Sequence, residues 1–512
     1  MKNFFTKRSI LIIALIVLKF VLQYLLLSPE YDLQRDEYLH LDLGNHLAWG
    51  YLSVPPLTSW ISRLIYLLGN SVFWVKFFPA LFGALTILVV LKIIEELKGN
   101  LFALALGGTC VLFSAILSLN TLYQPNSFDV FSWTLLYYIL IKYFHTENSK
   151  WLVVAAVVFA IGFLNKYNIV FQVLGLIPAI LLSQQRRIFG KKQLYIAAFF
   201  GLLLISPNIL WQYQNNFPVI HHLNELTATQ LVNVDRFGFL KSQILFFIGS
   251  LLIILAGLYS LLAYRPFKKY RLFFWSFFFT LLIFLYFQAK DYYVIGLYPV
   301  YIAFGATFLA NQLQTGRKRY LKPVLLLIPI IFFVPMYHIA FPNKSPQYIV
   351  EHSEKYKKLG LLRWEDGQDH SLPQDYADML GWKELAKKVD SVYRHMPDRR
   401  QTLILCDNYG QAGAINYYTE NDLQAVSFNA DYINWFDLGK PYKNLIRIKN
   451  YEEKNAEFEE TSPYFEHAVL ADSITNPYAR EYRTLIFAFE GAKIDMNRRL
   501  KIEIQEVKNE WR

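Results

Sequence analysis

The sequence predicts a mainly α-helical, polytopic membrane protein that ends in a soluble α/β domain. Three observations carry that prediction. Apolar runs follow one another up to about Phe341, each near the roughly 20 residues that cross a bilayer. Beyond Asn343 the chain turns polar and mixed, so a mean hydropathy of +0.24 averages two regimes. Basic residues gather in alternate loops. The division that follows is 1–342 for the membrane part and 343–512 for the soluble part.

The apolar runs read as about eleven spans: 9–27, 72–92, 101–120, 128–144, 151–165, 168–183, 193–213, 243–264, 271–288, 293–312 and 323–341. Pro79 inside the second is tolerated with a kink. Leu57–Leu68 is apolar but short, which suits an interfacial or re-entrant segment. With the N-terminus inside, six inner segments carry Lys and Arg, among them Lys7-Arg8, Arg186-Arg187, Lys268-Lys269 and Arg317-Lys318-Arg319. Outer loops hold isolated Arg35, Lys166, Arg236 and Lys290. The positive-inside rule then orients the bundle in a bacterial plasma membrane, with the N-terminus cytoplasmic and the C-terminal domain outside.

The net charge of +11 is therefore a matter of topology, and its spread over separate loops excludes a nucleic-acid-binding surface. The first apolar helix lacks a small-residue cleavage site and reads as an uncleaved anchor. Cys110 and Cys406 fall in different regions, and no metal-ligand spacing is built on cysteine.

The first outer loop, residues 28–71, opens with Arg35-Asp36-Glu37-Tyr38. Asp36–Trp49 reads as a surface helix with Leu39, Leu43 and Leu47 on one stripe, on which Asp36 and His40 share a face. Two acids at a membrane boundary are costly to bury and point to chemistry. An amphipathic helix with solvated acids at its N-terminus would look the same.

Other outer segments repeat the ambiguity. Asp129, after Pro125-Asn126-Ser127-Phe128, either lines a cavity or caps a helix. Lys166 in Asn165-Lys166-Tyr167 either binds an anion or snorkels. Lys290 beside Tyr292 and Tyr293 offers a cation with phenol donors for a phosphate, or an aromatic belt with a paired lysine. His221-His222 with Glu225 is weak as a metal site, and no metal or other cofactor is expected.

Taken in order, Arg35-Asp36-Glu37-Tyr38, Val54-Pro55-Pro56-Leu57, Pro125-Asn126-Ser127-Phe128-Asp129, Leu164-Asn165-Lys166 and Ala289-Lys290-Asp291-Tyr292-Tyr293 through Tyr298-Pro299 form a series. It resembles the polyprenyl-phosphate-dependent membrane glycosyltransferases, the family that includes protein O-mannosyltransferases and the aminoarabinose transferase acting on lipid A. The resemblance implies a GT-C fold and a polyprenyl-phosphate sugar as donor. A lipid, glycan or protein of the cell envelope would be the acceptor. It implies Asp36 as catalytic base or acceptor-orienting group, with Glu37 in support. Arg35, Tyr38, Asp129, Lys166, Lys290, Tyr292 and Tyr293 would meet the substrates. Two positions depart from the family's habit: Val54 stands where many relatives carry Lys, and Asn165-Lys166-Tyr167 where they read Thr-Lys-Gly. The rival class is a transporter or flippase of a lipid-linked sugar, which would place ionisable sites near mid-membrane.

In the soluble domain Trp382–His395 reads as an amphipathic helix and Thr402–Asp407 as a buried strand, followed by a turn into a helix through Asn408–Tyr418. Leu423–Phe428, Asn444–Ile448, Ala468–Ala471 and Arg483–Phe489 add strands. The glycines of Asp407–Gly413 fit no dinucleotide or P-loop fingerprint. Tyr409, Gln411 and Trp435 either pack or touch an acceptor.

Overall fold

The computed structural model describes residues 6–229, 231–337 and 339–510. Its first two thirds is a helical bundle. Among the described residues, Lys7–Leu25, Val72–Glu96, Lys192–Gln214 and Arg317–Tyr337 are each long and apolar enough to cross a membrane. Three bent pairs, Ile169–Leu181 with Gln184–Gly190, Arg236–Phe246 with Ile248–Ala263 and Asp291–Leu297 with Pro299–Gln312, raise that number to seven. The eleven expected spans exceed this because several are broken or short. Residues 101–120 divide after Leu112, where Ser114 caps a separate turn, Ala115–Leu119.

The bundle's outer surface is apolar. Phe199 is 69% exposed, Ile331 62% and Val334 63%, a surface of a kind that needs lipid around it. Val72–Glu96 lies at the centre, its Val90, Leu91, Ile93 and Ile94 wholly buried.

The first loop folds as two short helices. Arg35–Leu43 stops well before Trp49, the end expected from its leucine stripe. Gly44 sits so close to the Leu57–Leu67 helix that a Cβ there would lie 2.7 Å from Ser62 Cβ, and the chain turns to pass it. Leu47 is consequently left 55% exposed. The segment holding His221 and His222, expected as a loop, is the helix Pro218–Thr229.

The C-terminal part holds a five-stranded sheet: β1 Thr402–Cys406, β2 Ala425–Ser427, β3 Asn444–Lys449, β4 Phe465–Ser473 and β5 Leu485–Ala492. Their order is β2-β1-β3-β5-β4, with β1 parallel to β2 and β3, and β5 antiparallel to β3 and β4. Alternation along β1 sends Leu403 and Leu405 to one face, against Met496 and Leu500 of the last helix. Ile404 and Cys406 face the other side, against Leu385 and Val389 of Trp382–His395 and Ile415 of Tyr409–Tyr418.

That second core does not end at the sheet domain. Leu33, Tyr38, Leu39, Leu41 and Leu43 of the first loop belong to it. Asp42 Oδ2 accepts hydrogen bonds from Asn416 (2.7 Å) and from the Tyr432 hydroxyl (2.9 Å) across the same boundary. Loop and sheet domain thus share one interior. Cys110 and Cys406 are both buried and unpaired.

Candidate active site

The Arg35–Leu43 helix is fixed by its own first turn. Gln34 caps it, accepting from Asp36 N at 2.8 Å, while Glu37 reaches back to accept from Gln34 N at 2.7 Å. Glu37 is completely buried and takes three further bonds, two from Lys76 Nζ (2.8 and 2.7 Å) and one from Tyr123 N (2.6 Å). Lys76 also donates to Thr121 O at 3.0 Å. The acid therefore ties the loop helix, the Val72–Glu96 helix and the 120–124 link together. With both oxygens so occupied it is a structural support for Asp36.

Asp36 points the other way, towards a group of polar side chains from four segments. Its Oδ1 accepts from the Tyr409 hydroxyl at 2.6 Å and its Oδ2 from Gln124 Nε2 at 3.2 Å. Gln124 Oε1 in turn accepts from Asn126 Nδ2 (2.8 Å), and Asn126 Oδ1 from Lys166 Nζ (2.7 Å). A continuous chain of hydrogen bonds thus joins the acid of the first loop to the cation of the 166 turn. Lys166 Nζ lies 3.9 Å from the ring centre of Tyr293 and 5.6 Å from that of Tyr292. Asp129, buried, accepts from Asn168 Nδ2 (2.8 Å), which also donates to Tyr293 O (2.7 Å). Lys290 completes the group and pairs with Glu365 of the C-terminal domain at 2.7 Å.

Burial is the main reason Lys166, in the turn between two helices, has its ammonium pulled down to about 8. Asp129 opposes that shift and Lys290 adds to it. Lys290 goes the other way: burial would lower it, but Glu365 and then Tyr293 more than offset this. His40, on the same face as Asp36 and with an unpartnered Nδ1, is brought down to about 4 by burial, against Asp36 and with Lys166. It is neutral at ordinary pH. Asp375, solvent-exposed on the C-terminal domain, adds a further carboxylate near Asp378, Asp36 and Glu365.

The structure therefore brings Arg35, Asp36, Asp129, Lys166, Lys290, Tyr292 and Tyr293 together. Tyr38 is elsewhere. It is fully buried among Trp382, Tyr417 and Tyr418, its hydroxyl 3.3 Å from that of Tyr418, and it docks the C-terminal domain. Tyr298 packs on Phe247 in the bundle core. Among the described residues no three His, Cys, Asp or Glu side chains converge as a metal site. Sequence reasoning missed the bridging amides of Gln124 and Asn126, although Asn126 lies in the motif it quoted and Gln124 immediately precedes it. It also passed over Glu365 and Asp375, which no local pattern marks.

Residues 53–211 match the sequence profile of the family described as dolichyl-phosphate-mannose-protein mannosyltransferase. In fold the chain is similar to ArnT from Cupriavidus metallidurans bound to undecaprenyl phosphate, with a TM-score of 0.61 at 12% identity over 93% of this chain and 97% of that one. The apo form of the same protein gives 0.59 at 12% identity, covering 96% and 99%. No curated protein matches the sequence. Profile and fold together bear out the resemblance drawn from the sequence.

Proposed function

We propose that this chain is a glycosyltransferase that moves a sugar from a polyprenyl-phosphate carrier to an acceptor of the cell envelope, on the outer face of the membrane. The observation that supports it most is the unbroken chain Asp36–Gln124–Asn126–Lys166, with a carboxylate at one end and a cation under two phenols at the other. Lys166 and Lys290, with Tyr292 and Tyr293, would take the donor phosphate; Glu365 would yield Lys290 to it. Asp36 would face the acceptor hydroxyl.

The reaction follows from these charges. The acceptor oxygen attacks the anomeric carbon opposite the phosphate. Its proton passes to Asp36 as the new C–O bond forms. The bond from the anomeric carbon to the phosphate oxygen breaks, and the carrier phosphate leaves with the electron pair, its charge met by the lysines. Attack from the far side inverts the anomeric centre. An acceptor that is itself a phosphate needs no base, and Asp36 would then position it.

The test is transfer by the purified full-length chain from a panel of polyprenyl-phosphate sugars to envelope lipids, glycans and peptides, with the anomeric configuration of the product read by NMR. Absence of transfer across the panel, or retention in the product, would overturn this reading in whole or in its chemistry. Lys166 supplies a second check. It is charged below about 8 and loses that charge above it, so kcat/KM for the donor should fall as pH rises from 7 to 9. Lys166→Met should lower kcat/KM about tenfold or more at pH 7, the scale of a lost charged hydrogen bond, and should flatten that fall.

A further inference from the structure

The helix Tyr409–Tyr418 starts directly after β1, and its first turns lie against the Arg35–Leu43 helix. The approach is closer than side chains allow. A Cβ on Gly410 would stand 2.4 Å from Arg35 Cγ, and one on Gly413 would stand 2.7 Å from the Tyr432 hydroxyl and 2.8 Å from Tyr38 Cβ. The two glycines that fit no nucleotide-binding pattern therefore serve helix contact. The turn itself is rigid: Asn408 accepts from Gly410 N (2.9 Å) and Gln411 N (3.1 Å). Gln411 is buried, holding Asp407 N (2.9 Å) and Glu481 Oε2 (2.6 Å).

What this docking delivers is one hydroxyl. Tyr409 Oη donates to Asp36 Oδ1 at 2.6 Å and accepts from Arg35 Nη2 at 2.5 Å, while the guanidinium carbon lies 4.4 Å from the tyrosine ring centre. We propose that Tyr409 is a positioning residue for the transfer reaction: its hydroxyl orients Asp36 through Oδ1 and leaves Oδ2 towards the acceptor, so the C-terminal domain completes the active site. This rests on the enzyme reading above. Burial first, and then the Asp36 carboxylate, keep the Tyr409 hydroxyl protonated and hence a donor.

Other charged and titratable groups face the same carboxylate. Arg35 and His40 share its helix, Lys290, Tyr292 and Tyr293 approach from the 289–293 turn, and Asp375 and Asp378 from the C-terminal domain. A phenylalanine at 409 leaves all of these in place and keeps the ring under Arg35.

The experiment is steady-state transfer by full-length wild type and Tyr409→Phe, with the polyprenyl-phosphate sugar that the wild type turns over fastest. kcat should fall about tenfold while the donor KM does not change. A rise in donor KM with kcat kept, or no loss, would overturn the role and leave Tyr409 a packing residue. Thermal unfolding of Asp36→Ala, Tyr409→Phe and the double variant reads the contact without turnover: the two effects should be non-additive, and additivity would count against the bond. A wild type that transfers nothing defeats the enzyme reading and this role with it. A wild type that transfers, beside a variant whose kcat is unchanged, defeats this role alone.

Discussion

Asp36→Asn should lower kcat by about 10²- to 10⁴-fold, the usual worth of a positioned general base. The amide keeps the size of the side chain and can still accept from Tyr409, whose 2.6 Å bond it would inherit. It cannot take up a proton from the acceptor. In the proposed mechanism the donor is held by Lys166, at the far end of the hydrogen-bond chain, and by Lys290, so the donor KM should stay within a few-fold. Single-turnover transfer with labelled donor, beside the apparent unfolding midpoint of the same preparation, measures both. Full-rate transfer by a folded Asp36→Asn chain would remove the base from the mechanism.

Glu37→Gln should fail differently, through folding. The wild-type carboxylate receives four hydrogen bonds, two of them from Lys76, and both side chains are buried. A neutral amide leaves an ammonium enclosed without a counter-charge, which costs about 3–5 kcal/mol in comparable sites. The loop helix would lose its anchor to the bundle, and Asp36 would lose its aim. The measurement is the fraction that stays monodisperse in detergent on heating. Adding Lys76→Met removes the stranded charge and should restore much of that fraction. Equal stability of Glu37→Gln and wild type would mean that the ion pair is idle.

Those two neighbours show how far the sequence was legible. It marked both acids, because carboxylates at a membrane boundary need a reason. It could not say which one was spoken for, since the long-range partners of Glu37 come from positions 76 and 123. The sheet domain was read nearly element by element: Trp382–His395 has the expected ends, and β1 stops one residue early. Periodicity within a short window suffices there. The first loop helix was overextended because its end is set by contact at Gly44 with a helix that follows it. Tyr38 was grouped with the substrate contacts by its place in the motif, whereas its surroundings are Trp382, Tyr417 and Tyr418. Tyr409 was marked only as a residue that either packs or touches an acceptor. Nothing local links a tyrosine near the far end of the chain to an acid near its start.

The interior shared by residues 33–43 and the C-terminal sheet bears on how the protein is made. Leu33 to Leu43 leave the ribosome hundreds of residues before Trp382, Ile404 and Ile415, the side chains they pack against. Until translation ends, the acid-bearing segment rests on the Leu57–Leu67 and Val72–Glu96 helices, and Asp36 lacks Tyr409 beside it. On the proposed function, a nascent or prematurely terminated chain would be inserted but inert, and competence would wait until the last segment folds back onto the first.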